Sequence, residues 1–129
     1  MTHTWQLGHD QASPGHARRL VRGVLNQWQL EDDDADRVIL TVSELVTNAV
    51  QHAKPPVTMQ LCRNEATQTI RVDVADGGPC DEARNETKGP RCFAEHGRGL
   101  GIIDAISDAH GALSSSGCIS HWAVLSVHC

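Results

Sequence analysis

Three short stretches of the sequence combine residue types and spacings that could bind a ligand. The first is SELVTNAVQHA, residues 43–53, in which Glu44 and Asn48 interrupt an apolar helical pattern. At about 100° per residue, the two side chains fall within about 40° of each other, away from the centre of the apolar stripe. They share that face with Thr41 and His52. Taken alone, such a pair is also typical of a helix face that meets solvent.

The second stretch is Asp76-Gly77-Gly78, which directly follows a predicted strand. A carboxylate at the end of a strand, followed by glycines, would let a flat ligand approach the backbone. The same three residues also make a good turn, so alone they leave both interpretations open.

The third stretch is glycine-rich and opens a predicted helix. It consists of Gly97, Arg98, Gly99, Leu100 and Gly101. Bare backbone N–H groups at the positive end of a helix are suited to binding an anion. The stretch is not a Walker loop, because no Gly-Lys-Ser/Thr follows, and it is not the dinucleotide-binding fingerprint, because it follows a long loop instead of a strand.

Two predicted helices would position the first of these stretches. Ser13-Pro14 supplies a predicted N-cap and a proline in the first turn, and apolar residues then recur every three or four positions to about Gln29. The acidic run Glu31–Asp34 precedes a second apolar stripe from Ala35 to Ala53, where carboxylates suit the positive helix end. Lys54-Pro55-Pro56 closes this second helix.

The remaining pattern predicts strands around one long loop. Strands are predicted for residues 4–7, 57–62 and 69–75, and a closing hairpin for 112–128 with its turn at Ser116-Gly117. A third helix is predicted from Leu100 through Ala109, ending near Gly111. Residues from about 77 to 98 form a long Gly- and Pro-containing segment, the candidate for a lid over the site.

The order β-α-α-β-β-loop-α-β-β predicts an α+β fold. Because strands and helices occur in runs, we expect a two-layer sandwich, with a mixed, mainly antiparallel sheet covered by helices on one face. A chain of 129 residues has room for one domain, so residues 1–129 are predicted to form a single unit.

Composition excludes several functional classes. The formal net charge of −5 argues against a direct nucleic-acid partner, because no broad positive surface is available for phosphates. No segment approaches the roughly 18 apolar residues that span a bilayer, and no signal peptide is recognisable, so we expect a cytoplasmic protein without a membrane partner. Five cysteines without a CxxC pair predict reduced thiols, and scattered histidines predict no protein-only metal site.

The joint order of the three stretches is more specific than any one of them. Glu-x3-Asn on a helix, Asp-x-Gly after a strand and Gly-x-Gly-x-Gly before another helix resemble the GHKL ATPase fold of gyrase, histidine kinases and MutL. SELVTNAVQHA resembles its N box, DVADGGP its G1 box and HGRGLGIID its G2 box. Size, the opening ARRLVRGVLNQW and the ending HWAVLSV most resemble small ATP-binding regulators typified by anti-sigma factor serine kinases.

This resemblance implies a role for each residue of the three stretches. Asn48 would ligate Mg²⁺ together with ATP. Glu44, as the catalytic residue, would orient or deprotonate the attacking group, which is a water in the ATPase relatives and a substrate hydroxyl in the kinases. Asp76 would accept a hydrogen bond from the adenine amino group, and Gly78 would leave room for the base. The phosphates would be bound by the third stretch, in which Arg98 adds charge: Gly97, Arg98, Gly99, Leu100 and Gly101.

The resemblance also implies partners, and it leaves two functions open. In the similar regulators the protein binds a sigma factor and phosphorylates an anti-anti-sigma protein, commonly as a homodimer. The first hypothesis is therefore an ATP-dependent serine/threonine kinase that acts as an anti-sigma factor. The alternative is a nucleotide-gated binding module with little or no turnover, and a domain that binds no nucleotide would require all three motifs to be coincidental.

Overall fold

A five-stranded antiparallel sheet forms one layer of the structure. The computed structural model describes residues 2–77, 107–115 and 118–127. The strands are β1 (Thr2–Leu7), β2 (Val57–Asn64), β3 (Thr69–Asp76), β4 (Ala109–Ser115) and β5 (Cys118–Ser126). They lie in the order β1-β2-β3-β5-β4, and every pairing is antiparallel. Together with the helices on one face, this confirms the predicted α+β class.

Helix α1, Ser13–Trp28, begins one residue earlier than its predicted cap allowed. Ala12 occupies the N-cap position, so the prediction that Ser13 caps the helix is wrong. The Ser13 hydroxyl instead donates to the carbonyl oxygen of Gly8 at 2.6 Å, because the preceding loop folds back onto the helix start. The proline in the first turn is confirmed.

Helix α2, Asp32–His52, carries the predicted acidic first turn. Asp34 is buried there, and its carboxylate accepts a hydrogen bond from Arg37 at 2.8 Å. Arg37 also donates to the backbone carbonyl oxygen of Ser126, which ties the first turn of α2 to the end of β5. The helix ends before Pro55, as the sequence predicted.

The core lies between the two helices and one face of the sheet. Alternate strand residues point toward the helices, so that Ile70, Val72 and Val74 of β3 are fully buried. Helix α2 packs against β2, β3 and β5, and α1 packs against α2. Each fully buried aliphatic side chain contributes roughly 1.5–3 kcal/mol. This burial presses α2 against the strand that ends in Asp76.

The opposite face of the sheet carries polar and aromatic side chains. The Arg71 guanidinium lies 4.9 Å from the centroid of the Trp122 ring and forms an ion pair with Asp73 at 2.9 Å. The Trp122 ring also covers Gly111, where an added Cβ would lie 2.9 Å from the ring. Cys62 on this face is a free, half-buried thiol. The described helices therefore cover only one face.

The predicted end of the third helix is wrong. Ala109 and Gly111 belong to β4, where they lie opposite Val124 and Trp122 of β5. Inter-strand hydrogen bonding overrides the three-residue spacing that joined Ala109 to the preceding apolar positions. Residues 100–106, where this helix was predicted to begin, lie outside the described residues. The closing hairpin is confirmed, since Ser115 pairs with Cys118.

Within residues 2–77, 107–115 and 118–127, no helix is both long and apolar enough to cross a membrane.

Candidate functional site

Asp76 is the last residue of β3 and a buried charged residue. Its exposed fraction is 4%, and it lies opposite Ile119 of β5. Because it alternates in phase with Val72 and Val74, its side chain is on the face that packs against the helices. The structure therefore places this carboxylate at the strand end, as predicted, and directs it toward the helix layer.

Glu44 and Asn48 lie along one side of α2 at the boundary between core and solvent. Both are half-buried, whereas the neighbouring Leu45 and Ala49 are almost fully buried. The face that they share runs from buried Thr41, whose hydroxyl donates to the Arg37 carbonyl oxygen, to an exposed His52. The side chains of Glu44 and Asn48 are thus partly accessible to solvent, whereas the helix that carries them is packed against the core.

The ends of α2 and β3 meet at the same side of the molecule. The backbone N–H of Gly77, directly after Asp76, donates to the carbonyl oxygen of Lys54 at 2.7 Å. Lys54 lies two residues beyond the end of α2. With a rise of about 1.5 Å per residue, Asn48 lies about 6 Å along the axis from His52, and Glu44 about 12 Å. Asn48 therefore lies closer than Glu44 does to the end of α2 that meets the end of β3.

Gly77 approaches the α2–β2 connection closely enough to exclude any side chain. A Cβ built on Gly77 would lie 2.2 Å from the carbonyl oxygen of Pro55 and 2.9 Å from its carbonyl carbon. Both atoms belong to the backbone and cannot rotate away. The requirement for glycine here comes from this contact with the protein itself, which sequence reasoning did not identify.

His9, in the β1–α1 loop, reaches the same connection from the other side. Its Nε2 lies 2.7 Å from the carbonyl oxygen of Ala53. A carbonyl can only accept, so Nε2 carries the hydrogen. The loop around His9 is itself braced, since the Asp10 carboxylate accepts from the Ala12 N–H at 2.9 Å. No local motif marked His9, because its partner is 44 residues away.

Helix α1 contacts α2 beside the acid. Arg18 donates to the hydroxyl of Ser43 at 3.0 Å, one residue before Glu44. This hydrogen bond links the solvent edges of the two helices, whose apolar faces already pack together. It is a second contact that sequence periodicity did not predict.

His121 is a further buried polar residue near Asp76. It lies on the core face of β5 opposite Val74, two residues from the position that faces Asp76. Its exposed fraction is 3%, and burial lowers the pKa of its imidazole from 6.5 to about 4. The side chain is therefore neutral at physiological pH.

Six of the predicted site residues lie outside the described part of the chain. They are Gly78 and the whole of the third stretch: Gly97, Arg98, Gly99, Leu100 and Gly101. The predicted lid, residues 77–98, also lies outside it except for Gly77. Their roles stay predictions.

A family model for the histidine kinase-like ATPase domain matches residues 9–118. That range includes α1, α2 and the three strands β2, β3 and β4, as well as Glu44, Asn48 and Asp76. The chain belongs to this family. Membership implies ATP binding. No curated protein gives a significant match.

Two solved structures share the histidine kinase-like ATPase fold with this chain. The RsbU and RsbW domains of Rv1364c from Mycobacterium tuberculosis align with a TM-score of 0.76 at 15% identity, over 98% of this chain and 32% of that one. In the SiaB-SiaC complex from Pseudomonas aeruginosa, the TM-score is 0.70 at 17% identity, over 95% of this chain and 88% of that one. The chain therefore corresponds to about a third of the mycobacterial chain's length.

The described residues of this ATPase domain fit the chemistry of a nucleotide with its metal ion. Asp76 supplies a buried acceptor suited to an exocyclic amino group, and Asn48 supplies a side-chain oxygen, the ligand type that Mg²⁺ prefers. A single protein oxygen suffices for an ion that retains waters and binds phosphates.

Proposed function

We propose that the chain is an ATP- and Mg²⁺-binding regulator that transfers a phosphoryl group to a serine or threonine of an anti-anti-sigma protein, and that it binds a sigma factor. One observation carries the proposal: the helix with Glu44 and Asn48 packs against the strand that ends in buried Asp76. Family membership supports the ATP-binding part. The partners and the transfer step belong to the proposal alone.

Asp76 would select the base. Its buried carboxylate accepts a hydrogen bond from the 6-amino group of adenine, whereas guanine presents a carbonyl there and would set two acceptors against each other. Burial strengthens this discrimination, because an unpaired acceptor in a site without water is costly. Adenine nucleotides are therefore preferred over guanine nucleotides.

Asn48 would hold the metal ion that accompanies the phosphates. Its half-buried position allows the amide oxygen to reach a bound ion while the backbone stays fixed in α2. When bound, the metal ion would neutralise part of the phosphate charge. Asn48 orients that charge relative to the helix, and the five residues of the third stretch, Gly97 to Gly101, would complete the phosphate site.

Glu44 would prepare the acceptor hydroxyl. It lies one turn before Asn48 on the same side of α2 and is half-buried, so an incoming side chain can reach it. Its carboxylate would accept the proton of the serine or threonine as the hydroxyl oxygen attacks the terminal phosphorus, and the bond from that phosphorus to the bridging oxygen would break, so that ADP leaves. The hydrogen bond from Arg18 to Ser43 keeps the helix beside this acid in place.

Assembly with a second protein has a precedent in the same fold. SiaB was solved in complex with SiaC. In our proposal, the substrate hydroxyl comes from a partner. The homodimer expected from the resemblance belongs to the same proposal.

Titration of MgATP and MgGTP, followed by labelled-ATP transfer, tests this function. The purified chain is incubated with [γ-³²P]ATP and candidate anti-anti-sigma proteins of the same cell, with Glu44→Ala as the control. We expect MgATP binding by both proteins and labelled partner only with wild type. Lack of Mg²⁺-dependent ATP binding at millimolar nucleotide would contradict the whole proposal.

The second candidate is a nucleotide-gated binding module without turnover. The half-buried position of Glu44 favours the kinase, because a module that only binds nucleotide needs no partly accessible acid one turn before Asn48. A pull-down from the native lysate with and without ATP separates the two functions when combined with the transfer assay. A partner retained in an ATP-dependent way, but never labelled, identifies the binding module.

A further inference from the structure

We propose that the hydrogen bond from Gly77 to Lys54 is a backbone clamp that fixes Asp76 relative to Asn48, and that Gly77 is a positioning residue for the nucleotide. The inference rests on the proposed ATP binding at this site. It adds a function for the first residue of the Gly77-Gly78 pair and for the α2–β2 connection, residues 53–56.

The two proposed binding groups lie near the ends of β3 and α2. Asp76 is the last residue of β3 and Asn48 lies one turn before the end of α2. The two elements lie in adjacent layers of the fold, and a backbone hydrogen bond joins their ends, from the Gly77 N–H to the Lys54 carbonyl oxygen at 2.7 Å. A shift of either end would therefore change the distance between the base-binding carboxylate and the metal-binding amide.

The approach of Gly77 to the α2–β2 connection is too close for a side chain. An added Cβ on Gly77 would overlap the Pro55 carbonyl oxygen at 2.2 Å and lie 3.0 Å from that of Lys54. The close approach leaves no room to accommodate a methyl group without separating the two segments. Only a residue without a side chain permits this bond.

The α2–β2 connection is also held by hydrogen bonds from the β1–α1 loop and to α2. The imidazole of His9 donates to the Ala53 carbonyl oxygen at 2.7 Å, next to the acceptor residue Lys54. Ala53 also donates its N–H to the Ala49 carbonyl oxygen at 3.1 Å, which continues α2 into the connection. The connection is thus held from the β1–α1 loop, from α2 and from β3 at once.

Alignment of the two binding groups matters because ATP must reach both of them. A nucleotide that contacts Asp76 through its base and Asn48 through its metal ion gains the second contact only when the spacing is correct. AMP has the base but lacks the phosphates that carry the metal ion. The ratio of the AMP dissociation constant to the MgATP dissociation constant therefore measures the spacing.

The test compares Gly77→Ala with Gly23→Ala, a control on α1 where an added Cβ meets nothing within 4 Å. Calorimetric titrations of AMP and MgATP give the ratio for each protein. We expect the ratio to fall at least tenfold in Gly77→Ala and to be unchanged in Gly23→Ala. A merely structural role would lower the melting temperature without changing the ratio, and that result would overturn the inference.

A second variant covers the case in which Gly77→Ala does not fold. His9→Ala removes one support without introducing a clash, and exposed His16→Ala is its control. We expect a two- to fivefold fall in the ratio for His9→Ala alone. An unchanged ratio in this variant, with wild type binding MgATP, would contradict the inference.

Amide hydrogen exchange in the nucleotide-free protein tests the clamp without any ligand. The Gly77 N–H should exchange at least tenfold more slowly than in an unstructured chain, because it donates to Lys54. Rapid exchange would overturn the clamp while leaving ATP binding intact. Absence of ATP binding in wild type would instead overturn the proposed function, and with it this inference.

Discussion

Asp76 and Ile119 face each other across the β3–β5 ladder, so a carboxylate that is 4% exposed lies opposite an apolar side chain. Burial of a charge is costly unless its oxygens accept hydrogen bonds. A carboxylate retained at this depth is therefore the group whose replacement should change ligand binding most.

Asp76→Asn should weaken MgATP binding roughly 10- to 100-fold, because hydrogen bonds to charged groups contribute about 1.5–3 kcal/mol and each 1.4 kcal/mol is tenfold in affinity. Isothermal titration calorimetry measures the change. Asp73→Asn is the matched control, since Asp73 lies on the opposite face of β3 in an ion pair with Arg71. Equal affinity of Asp76→Asn and wild type would contradict the adenine assignment.

Glu44→Ala should leave MgATP affinity within about twofold of wild type and lower phosphoryl transfer by about 10²- to 10⁴-fold, the range of a general base. Single-turnover transfer from labelled ATP to the partner measures the rate. Glu65→Ala, in the exposed β2–β3 loop, is the control. Undiminished transfer by Glu44→Ala would show that another group accepts the proton.

Asn48→Ala should remove most of the Mg²⁺ dependence of ATP binding. In wild type, chelating the metal ion weakens ATP binding, whereas in the variant the affinities with and without Mg²⁺ should converge to within about threefold, because the protein ligand is missing. Titrations with Mg²⁺ and with a chelator give both constants. Exposed Asn26→Ala provides the control, and full Mg²⁺ dependence in Asn48→Ala would refute the metal role.

His121 should make folding stability depend on pH between about 6.5 and 4. Its folded pKa is lowered to about 4, so the unfolded chain binds the proton first, and stability is lost as pH falls through this window. The loss between pH 7.5 and 5 should be about 2 kcal/mol. Urea denaturation at both pH values measures it.

The matched comparison for this prediction uses His121→Leu and His16→Leu, which replace a buried and an exposed imidazole respectively. The pH-dependent loss should be smaller in His121→Leu by the amount stated. The same loss in both variants would show that other groups cause it.

Local sequence patterns were sufficient to predict the two helices and most of the strands. The apolar residues of α2 recur at helical spacing, and Ile70, Val72 and Val74 alternate at strand spacing, because each pattern places apolar groups on the face that becomes buried. The position of Asp76 at a strand end followed from the same alternation. These features depend on residues close together in the chain.

Patterns that depend on distant partners were not predictable in this way. Ser13 was expected to cap α1, but its hydroxyl donates to Gly8 because the β1–α1 loop folds back. Ala109 was expected at the end of a helix, but it pairs with Val124 in β5. In both cases a backbone contact outside the local pattern supplied the hydrogen-bond partner and decided the conformation.

By itself, the sequence determined which residues are apolar, where the chain turns, and that Glu44, Asn48 and Asp76 occur in the order of one ATPase family. Only the tertiary structure decided that Gly77 bonds to Lys54, that His9 bonds to Ala53 and that His121 is buried. The apolar periodicity of helices and strands depends on residues that are close together in the chain. These contacts instead form because the packing of α2 on the sheet brings separate segments within hydrogen-bond distance.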